Sequence, residues 1–227
     1  MSSLDELAVI INHFDKCPLL TQKRADFELF KIGVKMLNDK SHLTIEGLGK
    51  FIALRASVNL GLSPDLKASF PNVIPVQRPL VKDQQTKDPQ WLAGFVSGDG
   101  CFLIKIQNSS SQVGGKIGAN LSLKFQITQH SKDEQLMKSL VSYLGCGRYE
   151  ARSGYPGLQA GDFVVTKFSD IAEKIIPFFN KYPIRGVKAL DFADFSAVAE
   201  IIKNKDHLTP DGLGQIRIIK AGMNKGR

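Results

Sequence analysis

Cysteine is scarce in this 227-residue chain: Cys17, Cys101 and Cys146 are odd in number, far apart and form no C-x-x-C pair. That pattern excludes a disulfide scaffold and a structural zinc site, and it points to a reducing compartment. The four histidines, His13, His42, His130 and His207, show no metal-ligand spacing. No apolar run approaches the roughly 18 residues that a membrane-crossing helix needs, so no membrane partner is expected. The opening Met-Ser-Ser-Leu-Asp-Glu reads as neither a signal peptide nor an Arg-rich transit sequence. Apolar residues make up 43% and charged residues 23%, which excludes wholesale disorder. The formal charge of +8 points towards a polyanionic partner, nucleic acid or an acidic surface. At roughly 150 residues per domain the length corresponds to about one and a half domains.

What the chain does contain is a repeat. Residues 5–61 align without a gap to residues 170–226 at a constant offset of 165, with 20 of 57 pairs identical. "KSHLTIEGLG" (40–49) faces "KDHLTPDGLG" (205–214), and "IINHFDKCP" (10–18) faces "IIPFFNKYP" (175–183). Duplication into two structurally equivalent halves follows. The copies are unequal, because the motif-rich stretch 91–169 precedes only the second. The chain is therefore expected to begin in the middle of its first repeat, with about 75 more residues upstream in a complete version. Between the copies, residues 62–90 hold five of the ten prolines and read as an extended surface linker with one short helix near 63–71. The expected organisation is thus 1–61, the helical C-terminal part of a first repeat; 62–90, a Pro-rich linker; and 91–227, a complete second module.

Leu7, Ile10, Ile11 and Phe14 fall at helical spacing, as do Phe27, Phe30, Val34 and Leu37. A third helix carries Leu48, Ile52 and Ala56, with Thr44 or Ser41 as its cap. The same three helices are expected at 170–180, 188–204 and 209–222. The intervening segment reads as β. From 116 to 128 apolar residues alternate cleanly with polar and basic ones, giving a strand with one buried and one wet face. Further strands are expected at 101–107, 146–152 and 162–168, with a helix at 137–145. The fold class is α+β, with helices packed on one face of an antiparallel sheet.

"WLAGFVSGDGCF" (91–102) opens this module. Ala93, Gly94, Ser97 and Gly98 give a helix a face on which another backbone can approach closely. Asp99, between two glycines at the helix end, offers a carboxylate beside open carbonyls, a donor set suited to a hard cation. Leu92 to Gly100 closely resembles the nine-residue signature of the LAGLIDADG homing endonucleases. "LSLKFQITQH" (121–130), "YLGCG" (143–147), "DFVVTKFSDI" (162–171) and the terminal "MNKGR" resemble single-chain, two-repeat members encoded in mitochondrial introns.

The resemblance implies a saddle-shaped sheet lying in the major groove of a double-stranded DNA target. It also implies a divalent metal, Mg2+ with Ca2+ or Mn2+ as substitutes, held by Asp99 and the Gly98 carbonyl. Gln129 matches a position that orients solvent at the cleavage centre, and Lys188 a basic residue near the scissile phosphate. Plain strand-end and helix-start roles are the competing readings of these two. Lys105, Gln107, Lys116, Asn120, Lys124, Gln126, Arg148, Arg152 and Lys167 are the candidate DNA contacts, since Lys and Arg meet phosphate or guanine and Asn and Gln meet adenine edges. The repeated His-Leu-Thr reads instead as helix-start structure. Of the charge, +6 lies in 91–227, the part with the sheet. Only one signature is present, so the sequence offers half a site, to be completed by a missing N-terminal half or a second chain. The alternatives to a site-specific endonuclease are an intron maturase that binds RNA and a remnant that binds DNA without cutting.

Overall fold

The computed structural model describes residues 3–108, 119–152 and 159–224, without the side chains of 108, 119 and 120. These residues form two compact units, Met1–Gln84 and Gln85–Arg227.

The first unit is helical: α1 (Leu4–Lys16), α2 (Lys23–Asn38), α3 (Ile45–Ser57) and the short α4 (Pro64–Ser69). Ser3 and Glu6 form a reciprocal capping box at the start of α1. The Pro-rich stretch is extended after α4, yet it does not run free over the surface. Ser57 donates to the Val76 carbonyl at 2.6 Å, the Arg78 guanidinium bonds Asp26 and the Ser57 carbonyl, and Gln84 donates to the Leu20 carbonyl at 3.0 Å. Lacking ladder partners, this backbone and its flanking side chains satisfy their polar groups on α2, α3 and the α1–α2 turn.

The second unit begins with α5 (Pro89–Asp99), whose first turn is capped by Asp88 and entered through Pro89. It continues with β1 (Gly100–Asn108), β2 (Ala119–His130), α6 (Glu134–Leu144), β3 (Arg148–Ala151) and β4 (Ala160–Val165). Then come α7 (Phe168–Asp170), a π-helical turn (Ile171–Ile175), α8 (Ile176–Lys181), α9 (Lys188–Lys203) and α10 (Pro210–Ala221). The π turn sits where Pro177, which has no N–H, breaks the normal ladder.

The four strands are antiparallel in the order β1-β2-β4-β3. Helices α5, α6 and α9 pack against them. The buried face is filled by phenylalanines: Phe102 and Phe125 stack at 5.2 Å, and Phe179, Phe192 and Phe195 close over Phe102. This is the α+β module that the alternation implies. Several boundaries shift by up to three residues, most at two places. The helix expected from 137 starts at Glu134, and β4 ends at Val165, so Lys167 stands past the hairpin at the cap of α7.

The two sequence copies share their local geometry. Lys40 and Lys205 both adopt left-handed backbone, at φ 54° and 66°. A 3₁₀ turn follows each, and then Thr44 and Thr209 cap α3 and α10 by accepting the amides of Gly47 and Gly212, each at 3.0 Å. The glycines are required there: a Cβ on Gly47 would lie 1.8 Å from the Ser41 carbonyl oxygen, and one on Gly212 2.1 Å from that of Asp206. Asn59 and Asn224, both left-handed, donate their amides to the carboxylates of Asp26 and Asp191 at 3.1 and 2.9 Å.

Thr209→Ala is expected to lower stability by about 1 kcal/mol through the lost cap, and Gly212→Ala by more. Gly214→Ala, whose Cβ meets nothing within 4 Å, should be neutral or stabilising by up to ~1 kcal/mol. Urea unfolding midpoints at unchanged m-value check the order.

Candidate functional site

The last turn of α5 carries the candidate acid. Val96 and Leu92 bury one side of the helix against the core, whereas Gln90, Gly94 and Gly98 recur every fourth residue on an exposed side. A Cβ at Gly94 or Gly98 would meet no atom within 4 Å, so the backbone itself is the surface there. Gly100 is fixed differently, because a Cβ would lie 2.6 Å from the Val96 carbonyl oxygen where helix turns into strand. Asp99 is therefore delivered, exposed, at the junction of α5 and β1.

Gln129 meets it. Ile127 faces the core, and two residues on, Gln129 projects to the same helical side of the sheet where α5 ends. Its Nε2 donates to Asp99 Oδ2 at 2.6 Å. No described cation pairs with Asp99, so Oδ1 and the neighbouring Gly98 carbonyl remain available. Among the described residues no three His, Cys, Asp or Glu side chains converge. The donor set here is one carboxylate and one carbonyl, oxygen only. That fits part of the shell of a hard divalent ion, which keeps waters and takes ligands from other anions.

Lys188 begins α9 and lines an open cleft of about 800 Å³ with Ser97, Cys101, Arg185, Asp191 and Lys220. Its ammonium is 3.5 Å from the buried Asp191. The loop bearing Arg185 is fastened to α5, as the Arg185 amide donates to Ser97 Oγ at 2.9 Å. The structure thus brings Lys188 beside residues flanking Asp99 in sequence, but ties it to a carboxylate of its own helix.

The other face of the sheet is polar. Lys105, Gln107, Lys124, Gln126 and Arg148 share it, set by the register Lys105↔Ser122, Leu103↔Lys124, Cys101↔Gln126 and Arg148↔Val164. Arg152 follows β3 directly on the same side, and Arg148 pairs with Glu150 at 2.6 Å. Lys167, beyond β4, does not share this surface. Lys116 and the side chain of Asn120 lie outside the described residues.

Two residues of this face that are not among the sequence-derived candidates are Thr128 and Asp162. They sit opposite each other in the β2–β4 register. Asp162 is 7% exposed and binds Arg152 in a fork, Nε to Oδ2 at 2.8 Å and Nη2 to Oδ1 at 2.9 Å. Thr128 Oγ1 donates to Asp162 Oδ1 at 2.6 Å, and Gln126 Nε2 bonds both Thr128 Oγ1 and Asp162 Oδ1. Burial alone would push the Asp162 carboxyl up. The hydrogen bonds of Arg152 and Thr128, with the charges of Arg152 and Lys124, outweigh it and hold the carboxyl below the ordinary value. An acid in an otherwise basic strand pair is the sequence signal for this cluster, and Glu150, opposite Asp162 in the register, carries the same signal.

Residues 92–199 match the LAGLIDADG endonuclease family. The chain is 40% identical over 220 residues to a "Probable intron-encoded endonuclease 3" of Neurospora crassa, covering 96% of this chain and 40% of that protein. It superposes on the I-SmaMI LAGLIDADG homing endonuclease bound to cleaved DNA with a TM-score of 0.92 at 48% identity, covering 99% of this chain and 73% of that one. I-SmaMI has also been solved on an uncleaved DNA target in the presence of calcium ions. The homing endonuclease I-GzeII in complex with its DNA target gives a TM-score of 0.90 at 46% identity, over 99% of this chain and 75% of that one. The chain spans 40% and 50% of two curated Neurospora crassa relatives.

Because the folded-state pKa of Asp162 is depressed, its contribution to stability is intact above the ordinary carboxylate value of 3.8 and is lost as pH falls through the lower folded value. Wild type should therefore lose more stability than Asp162→Asn as the pH drops from about 5 to about 2. Denaturant unfolding across that range checks this, and equal losses would refute the assignment.

Proposed function

This chain belongs to the LAGLIDADG homing endonuclease family, and on that premise we propose that its polar sheet face binds a double-stranded DNA site in the major groove while Asp99 serves as one of two acids in a phosphodiester-hydrolysing centre. The observation that carries this reading is the exposed Asp99, held by Gln129 at the end of a helix whose free side is bare backbone. Asp99 Oδ1 and the Gly98 carbonyl are the atoms that would hold a divalent ion. Mg2+, with Ca2+ or Mn2+ as substitutes, would supply Lewis acidity and neutralise charge on the phosphate. Gln129 fixes the rotamer of the carboxylate and leaves one oxygen open. Lys188 contributes positive charge from the adjoining cleft.

One acid does not make a site for cutting two strands. Gly94 and Gly98 admit the backbone of a second helix at close range. We propose that this helix comes from another signature-bearing module, in the same reading frame or in a second chain, and brings the second acid. The module boundaries proposed are 1–61, 62–90 and 91–227, the last carrying the DNA-reading sheet. An intron reading frame in a mitochondrion is the proposed setting.

The test incubates the protein, alone and with an in-frame upstream extension, with duplex DNA spanning the intron-insertion junction and Mg2+. Double-strand cleavage is expected once a second acid is supplied. Asp99→Ala should abolish it with DNA binding retained, and Gln129→Ala should lower it by about 10- to 100-fold. Binding to the intron RNA with no DNA cleavage, or cleavage indifferent to Asp99→Ala, would replace the endonuclease reading with a maturase one.

Exposed Lys105 and half-buried Lys124 should act as phosphate contacts. Replacing either by Ala is expected to weaken binding to all sequences alike and to reduce the salt slope by about one. Binding isotherms over a range of salt concentrations check it.

A further inference from the structure

Resting on the reading that this sheet faces DNA, we propose that Gln126, Thr128, Arg152 and Asp162 form one preorganised reader of a G·C base pair, with Asp162 as its specificity-determining positioning residue. An ionised carboxylate only accepts, so the Gln126 atom 3.1 Å from Asp162 Oδ1 is the amide nitrogen. That nitrogen has two hydrogens, and both are used, one on Asp162 and one on Thr128 Oγ1 at 2.8 Å. Thr128 Oγ1 gives its proton to Asp162 and accepts from Gln126 and from Arg152 Nη2 at 3.0 Å, which exhausts a hydroxyl.

Arg152 spends Nε and one Nη2 hydrogen on the carboxylate and its other Nη2 hydrogen on Thr128. Among the described residues, two functions remain uncommitted. These are the Nη1 donors of Arg152 and the Oε1 acceptor of Gln126. Both side chains are bonded to the same two oxygens, Asp162 Oδ1 and Thr128 Oγ1, so a single cluster presents both functions.

That pairing has a base-pair complement. In the major groove guanine shows the N7 and O6 acceptors, and its partner cytosine shows the N4 amino donor. Arg152 Nη1 suits the first and Gln126 Oε1 the second. The adenine contact expected of a free glutamine needs a donor and an acceptor together, and Gln126 has no donor left to offer. Asp162 touches no base in this scheme. It holds the guanidinium and the amide so that only these edges face outward, and the ordering entropy is met on folding rather than on binding.

The test is selection from a randomised duplex DNA library in Ca2+ by wild type, Asp162→Asn and Arg152→Lys, with the salt dependence of binding measured for each. Wild type is expected to enrich a motif with an invariant G·C pair. Both variants should relax preference at that one pair by about tenfold, with the rest of the motif and the salt slope unchanged. Arg152→Lys keeps the charge but loses both the fork and the Nη1 donors, so it decides the matter should Asp162→Asn not fold. A variant motif identical to the wild-type one would overturn the proposal, as would a wild-type motif with no invariant G·C pair. A wild type that enriches nothing would overturn the DNA-binding reading itself, and this proposal with it.

Discussion

The second unit depends on the two-residue period of β2. This strand pairs on both edges, with β1 and with β4, and its odd-numbered residues Leu123, Phe125 and Ile127 are sealed in the core. A slip of one residue would drive Lys124 and Gln126 into the phenylalanine cluster and expose Phe125, so the register is held by many kilocalories of apolar burial. Everything chemical follows from it. The even-numbered residues are forced onto one wet face. Gln129 is forced onto the other, where it meets the acid at the end of α5.

What the ion pair on the wet face provides is position more than stability. Arg152 remains more than a third exposed, and exposed pairs contribute only about 0–1 kcal/mol net. The carboxylate is better shielded and could not stay ionised in that setting without its donors. The pair persists because each partner makes the other tolerable, and its result is a guanidinium with little rotational freedom. The Asp99–Gln129 contact follows a different logic. It is exposed, uncharged on one side and made through a single oxygen, which leaves the carboxylate able to take another partner.

Much of this was legible in the sequence. The helices of both copies, the strand alternation of 119–128 and the position of Asp99 at a helix-to-strand junction follow from periodicity and from glycine placement. The Asp99–Gln129 contact did not follow from spacing, since thirty residues separate the two and only the three-dimensional convergence of α5 and β2 brings them together. Thr128 and Asp162 escaped for a related reason. Their partnership is a register fact, and register is decided by the core face, so a polar face assembled one strand at a time cannot contain it. The segment 70–84 misled because proline content reports that a backbone cannot join a ladder. It says nothing about whether a side chain such as Ser57 will bind it or whether its own Arg78 will reach back to α2 and α3.

The shared geometry of the two repeat copies has a consequence for how such a chain can change. The residues that agree, Lys40 with Lys205, Thr44 with Thr209, Gly47 with Gly212 and Asn59 with Asn224, all answer to backbone conformation or hydrogen bonds within their own unit. Their constraints are private, and drift elsewhere cannot relax them. Leu20 and Arg185, where the copies have parted company, meet different neighbours: the Leu20 carbonyl accepts from Gln84, whereas the Arg185 amide donates to Ser97 Oγ. A doubled chain therefore carries its own internal control: agreement at these positions marks what the local fold demands, and divergence such as Leu20 against Arg185 marks where each copy meets different neighbours.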